Sequence, residues 1–277
     1  MKFQKKIFKY PFDYHLLSKD IKKLTSNLNK SKNNKLIKLY ILSGSTVHNL
    51  PDQIKLFLSN FGIYVDIKVG NYNNYLEETL FSNEIINFNP DWVYIHTNHK
   101  NIVDLPDLIE SKKQISDFYF KNINLFENIL SSKQLKNKKI IINNFEKLPS
   151  ISQSVITKNQ NKFNSNDLIL TLNDKLKKLT NKFENVYLND IEYLSSLIGI
   201  NNWIDNNFWA AFKIAFSNEA FPYLSSSISS IISASEGKSK KVLVCDLDNT
   251  LWGGNIGDIG YENIELGPET PNGNIYL

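Results

Sequence analysis

The chain has 277 residues, with 32 basic against 28 acidic side chains, 42% hydrophobic residues and 22% charged ones. That balance excludes disorder and collagen-like repeats for most of the chain, and the length holds one large domain or two ordinary ones. A single cysteine, Cys245, excludes an internal disulfide framework and a multi-cysteine metal site. The positive charge comes from Lys, and Asn occurs 38 times. This pairing marks an AT-rich coding sequence, so the basic excess of +4 carries little functional weight. No basic motif interleaved with aromatics points to nucleic acid. No window strings together the roughly 20 apolar residues of a membrane span, and the start, Met1 to Lys6, lacks a signal peptide's apolar run. The expectation is a cytoplasmic protein without a membrane or nucleic-acid partner.

In chain order, residues 1–35 read as a helical lead-in, with Leu16, Leu17, Ile21 and Leu24 at helical spacing. Lys38 to Leu42 is a short apolar strand that ends in the small-residue turn Ser43-Gly44-Ser45-Thr46. Leu50, Ile54, Phe57, Leu58 and Phe61 then mark one face of a helix closed by Gly62. Further strands are predicted at Tyr64–Val69, ending at Gly70-Asn71, at Asp91–His96, at Lys139–Ile142 and at Val186–Leu188. A long helical region is predicted from Leu105 to Leu135. Short apolar strands separated by helices predict a doubly wound α/β domain with a parallel sheet, here over residues 36–215. Its ligands would sit beyond the carboxyl ends of the strands. Residues 216–240 read as a connecting helix and linker, and residues 241–277 as the start of a second domain. Trp203, Phe208, Trp209, Phe212 and Phe216 form an aromatic cluster expected to pack one unit on the next.

The second domain opens on Lys241-Val242-Leu243-Val244-Cys245, a predicted buried strand running into Asp246-Leu247-Asp248-Asn249-Thr250. Two carboxylates two positions apart at a strand's end suit phosphoryl transfer, one attacking phosphorus and the other handling the leaving-group proton. They also suit Mg²⁺, which prefers oxygen ligands. A polar turn at the strand's end is the plainer alternative. The stretch Lys240 to Gly254 resembles motif I of the haloacid dehalogenase (HAD) superfamily. Ile256-Gly257-Asp258 and Ile264 to Pro268 narrow the resemblance to its FkbH-like branch, subfamily IIIC, whose HAD domain is Rossmann-like. The segment around Leu197-Ile198-Gly199, Trp203, Asp205, Trp209 and Phe216-Ser217 is similar to what precedes that domain in the branch. The resemblance implies Asp246 as nucleophile and Mg²⁺ ligand, Asp248 as general acid/base and ligand through its backbone carbonyl, and Thr250 as a phosphate-contacting residue. It implies a phosphatase or phosphotransferase acting on a phosphorylated small metabolite, with an acyl carrier protein as a further partner. The later HAD motifs would lie beyond Leu277, so little activity is expected of this chain alone. Members that load a glyceryl unit often have Cys between the two aspartates, where this chain has Leu247. Cys245 is expected to be a small core residue.

The FkbH-like resemblance also implies that the first α/β domain is SGNH-hydrolase-like, a flavodoxin-type fold. Its cleft would comprise Ser45 and Thr46 after the first strand, donors near Gly70 and Asn98, and an Asp-x-x-His element matched in part by Asp205. That element has Phe208 in place of His, which leaves the serine without a base. His48, His96 and His99 read as edge or surface polar residues. The expectation is a degenerate hydrolase fold that keeps a recognition cleft and docks a substrate or carrier protein.

Overall fold

The computed structural model describes residues 7–27, 35–106, 108–109, 111–149 and 163–276. Two compact units divide the chain, Met1–Gly237 and Lys238–Leu277. In the first, the elements run α1 (Tyr14–Asn27), β1 (Lys35–Ser43), α2 (Leu50–Asn60), β2 (Ile63–Val69), α3 (Tyr75–Leu80), α4 (Glu84–Phe88) and β3 (Trp92–His96). They continue through β4 (Leu108–Ile109), α5 (Lys112–Leu130), β5 (Lys139–Asn143), β6 (Phe163–Asn164), α6 (Ser165–Thr180) and β7 (Val186–Asn189). Helices α7 (Ile191–Ile198), α8 (Ile200–Trp203), α9 (Asn206–Phe212) and α10 (Ala220–Ser235) complete the unit.

The apolar runs form strands because a parallel sheet buries both faces, and only unbroken hydrophobic segments fill such positions. The five long strands lie in the order β2-β1-β3-β5-β7, all parallel. Alternation along each strand feeds two cores. Leu39, Ile41, Trp92, Tyr94 and Ile141 face one side, where they pack with Ile54 and Leu58 of α2 and Leu224 and Ile228 of α10. Tyr40, Leu42, Val93, Ile95, Ile140 and Ile142 face the other, with Phe126 and Ile129 of α5 and Leu172 and Leu176 of α6. Burying each such side chain stabilises the fold by about 1.5–3 kcal/mol. Leu17 and Ile21 of α1 cover Leu56 and Phe57 on the outer side of α2.

Three expectations change here. The helical region predicted from Leu105 to Leu135 narrows to α5, because Leu108–Ile109 pairs antiparallel with Phe163–Asn164. The helix read as a connector is α10, whose Phe221, Leu224, Ile228 and Ile232 are fully buried in the first unit. The aromatic cluster likewise belongs to that unit: Trp203 and Phe216 are core residues, Phe208 and Trp209 pack against them, and Phe212 is exposed.

In the second unit, residues 241–247 form no strand. Val242, Leu243 and Val244 are 77%, 86% and 88% exposed, and Cys245 is exposed rather than buried. A parallel strand needs neighbours to satisfy its backbone and cover its side chains. Among the described residues, this unit offers only isolated bridges, between Gly253 and Glu265 and between Asp248 and Trp252. A short helix, α11 (Ile256–Ile259), follows, capped where Asn255 accepts from the Gly257 amide.

Candidate functional site

The sheet order reverses between β1 and β3, which opens the crevice where doubly wound folds place ligands. The loop after β1 enters it through Gly44, whose amide donates to the His96 carbonyl at 2.9 Å. A Cβ on Gly44 would stand 2.8 Å from both that carbonyl and Asn101 Oδ1, so only glycine allows this approach. Asn101 Nδ2 donates to the Gly44 carbonyl, and Asn101 Oδ1 accepts from the Asn98 amide. Thr46 turns the other way. Its amide donates to the Lys213 carbonyl at 2.9 Å and its hydroxyl to the Phe212 carbonyl at 2.8 Å. The loops after β1 and β3 and the end of α9 therefore converge.

Of the residues predicted for a cleft, Ser45 and Asn98 lie on two loops that Asn101 ties together through the Gly44 carbonyl and the Asn98 amide. Both are fully buried, and Ser45 Oγ and Asn98 Nδ2 have no hydrogen-bond partner among the described residues. No histidine hydrogen-bonds Ser45 Oγ. Gly70 serves the fold: its amide donates to the Ile41 carbonyl, and a Cβ there would overlap the buried Glu78 carboxylate. Asp205 caps α9 by accepting from the Asn207 and Phe208 amides.

Two of the three histidines read as edge residues are buried instead. His96 is fully buried, with Nδ1 3.0 Å from the Tyr94 hydroxyl. Burial pushes its pKa down to about 3, so the ring is neutral near pH 7. His99 Nδ1 lies 2.7 Å from Oε1 of the fully buried Glu146. No sequence pattern pairs residues 47 apart, so this contact was not legible before the fold.

In the second unit, Asp246 Oδ1 accepts from the Leu247 amide, and Asp248 Oδ1 accepts from Trp252 Nε1 at 3.0 Å and from the Ile256 amide. Asn249 adopts a left-handed backbone (φ 54°) and accepts from the Gly254 amide, which curls the chain around Asp248. Thr250 is exposed and donates its amide to the Leu247 carbonyl.

The sequence model for the FkbH N-terminal domain matches residues 38–233, well over half of the chain. The chain belongs to the FkbH family. Its match spans the five-stranded sheet apart from the first three residues of β1, and ends within α10. Among solved structures, the FkbH chain is similar to the N-terminal part of the protein BF1531 from Bacteroides fragilis, described as containing a phosphatase domain and complexed with Mg. The two are 23% identical with a TM-score of 0.77, over 93% of this chain and 67% of that one. A protein described as lipolytic, of the G-D-S-L family, from Desulfitobacterium hafniense is 11% identical with a TM-score of 0.42, over 72% of this chain and 99% of that one. The latter likeness is too loose to extend the comparison. No curated protein sequence matches the chain.

Asp246 and Asp248, the residues that would hold Mg²⁺, form at most a partial donor set. Among the described residues, no three acidic, histidine or cysteine side chains group together as a metal cage. Among the described residues, hydrogen bonds engage only Oδ1 of Asp246 and of Asp248. Mg²⁺ would take the Asp246 carboxylate and the Asp248 backbone carbonyl, with waters and a substrate phosphate completing its octahedron.

Proposed function

We propose that the chain forms part of a phosphatase or phosphotransferase that acts on a phosphorylated small metabolite through Asp246. The observation that carries this reading is the motif Asp246-Leu247-Asp248-Asn249-Thr250 following an FkbH domain. In the proposed reaction, an Asp246 carboxylate oxygen attacks phosphorus while Asp248 donates a proton to the departing alcohol oxygen. Water then attacks the aspartyl-phosphate, passing its proton to Asp248 and freeing inorganic phosphate. Asp246 and Asp248 would hold Mg²⁺, whose charge offsets that of the phosphoryl oxygens. Thr250 would contact the phosphate. A product that feeds an acyl carrier protein, and a cytoplasmic location, belong to the same proposal. Phosphate release from an aryl phosphate by the protein that carries this chain is expected to fall by about 10³-fold or more in Asp246→Asn, with the fold intact. Unchanged turnover in that variant would end the reading.

A second reading has its own support. Ser45 is buried with no base hydrogen-bonded to its hydroxyl among the described residues, and Phe208 stands where an SGNH histidine would be. A serine so placed is a poor nucleophile, so the first unit serves as a binding module that docks a substrate or carrier protein. Hydrolysis of p-nitrophenyl acetate that disappears in Ser45→Ala would sink this second reading.

A further inference from the structure

Helices α5 and α6 cover one face of the sheet, and a groove of about 390 Å³ runs between them. Its two walls repeat one spacing. Ser116, Tyr119, Phe120 and Ile123 of α5 stand at i, i+3, i+4 and i+7. Lys175, Lys178 and Leu179 of α6, with Lys182 just beyond it, repeat the same interval. Residues at that spacing share one side of a helix. One wall is therefore mainly apolar and the other mainly basic, over about two helical turns.

The apolar wall is open to water. Phe120 is 70% exposed, and Tyr119 and Ile123 beside it are half-buried. A lone exposed aromatic is ordinary on a protein surface. Phe120 instead extends an apolar stripe into a groove, where a partner's side chains would take it out of water. The basic wall has charge to offer. Lys175 has no carboxylate partner among the described residues, and its ammonium lies 5.1 Å from the centroid of the Tyr119 ring. Lys178 pairs with Asp174 at 2.6 Å and Lys182 with Glu127 at 3.2 Å, but all four of these side chains are at least 43% exposed. Pairs so open to solvent contribute little, so an incoming carboxylate displaces them at small cost. Three ammoniums against two carboxylates leave this wall positive.

We propose that the groove docks an acidic amphipathic helix of a partner protein. The helix sets its apolar side chains on Tyr119, Phe120 and Ile123, and its acidic flank on Lys175, Lys178 and Lys182. Docking of a helix into a groove uses apolar anchors at the spacing that α5 presents, and the lysines select for negative charge. The inference rests on the second reading above, in which the first unit docks a partner. It gives that module a face and the partner a chemistry. None of the groove's residues belongs to the crevice at Ser45, so the two are tested separately.

The test is the fluorescence anisotropy of a labelled peptide titrated with the 277-residue chain. The peptide has about 18 residues, long enough to hold a helix, with leucines at i, i+3, i+4 and i+7 and glutamates beside them. The same peptide with lysines in place of the glutamates is the control. Saturable binding of the acidic peptide that weakens as salt rises is expected, with the basic peptide at least about tenfold weaker. Phe120→Ser, and Lys175→Gln combined with Lys182→Gln, should each weaken binding by about tenfold or more while melting with the parent. Leu170→Ser, which changes a 41% exposed side chain of α6 outside the groove, should leave binding unchanged. Absence of saturation, equal affinity for the two peptides, or full affinity in both groove variants would overturn the proposal. So would self-association, or adhesion to phosphatidylglycerol vesicles, that Phe120→Ser abolishes, because either gives the groove another occupant. Esterase activity lost in Ser45→Ala would instead refute the binding-module reading and leave the peptide titration standing on its own.

Discussion

Glu236 ends α10 with a negative charge where the helix's own carbonyls already concentrate negative potential, an unfavourable position by itself. Three donors reverse the balance. Lys139 Nζ donates to Oε1 at 2.8 Å, Trp92 Nε1 donates to the same oxygen at 3.0 Å, and Lys35 donates to Oε2. Burial alone would raise the carboxyl's pKa, but the hydrogen bonds from Lys139, Lys35 and Trp92 outweigh it and hold the pKa at about 2, against an ordinary 4.5. A depressed folded-state pKa means stability that is fully present above the unfolded value and lost as the pH falls. The affected window is therefore between about 4.5 and about 2. Lys35 and Lys139 are 53% and 39% exposed, so solvent screens part of the attraction. Glu236→Gln is expected to cost about 1–2 kcal/mol at pH 7 and to flatten that acid limb. Denaturant melts across the pH range check it; an unchanged limb would mean the ion cluster is idle. Nothing in the sequence around Glu236 signalled this role, because its partners come from residues 35, 92 and 139.

Two elements with nearly the same letters behave in opposite ways. Ile140-Ile141-Ile142 and Val242-Leu243-Val244 are both three-residue aliphatic runs preceded by lysines. The first is fully buried between β3 and β7, whereas the second is exposed and unpaired. Ile141→Ala should therefore cost about 2–5 kcal/mol, as core truncations do. Leu243→Ala should leave stability within about 0.5 kcal/mol. Equal effects in urea melts would show that residues 241–247 are covered in solution. This pair also marks what the sequence could reveal. Apolar runs between turns located β1, β2, β3, β5 and β7, since burial on both faces demands such runs. Strandedness itself depends on neighbours, which a local pattern does not contain, so Lys241–Cys245 read as strand. The candidate site was legible by the same division. Asp246, Asp248 and the loop from Ser43 to Thr46 stood out as local motifs. The His99–Glu146 contact joins residues 47 apart, and only the adjacency of β3 and β5 in the sheet brings them together.

At the scale of the molecule, the division at Gly237 separates a unit with three apolar clusters from one with few buried side chains. All of the described five-stranded sheet and both of its cores lie before that point, and α10 seals one of them up to Ile232. Gly237 itself has φ 73°, a left-handed conformation that ends α10 as glycine commonly does. Immediately after it, residues 238–247 make no strand or helix and are exposed throughout. A cooperative melting unit is set by shared buried surface, and the hydrophobic term that holds the first unit together comes from residues it contains. Residues 1–237 produced alone should therefore unfold in one transition, with a Tm within about 2–4 °C of the 277-residue chain, the shift expected of about 1 kcal/mol in a domain of this size. Differential scanning calorimetry on the two chains decides the point. A fall in Tm well beyond that range would mean that residues 238–277 stabilise the α/β unit.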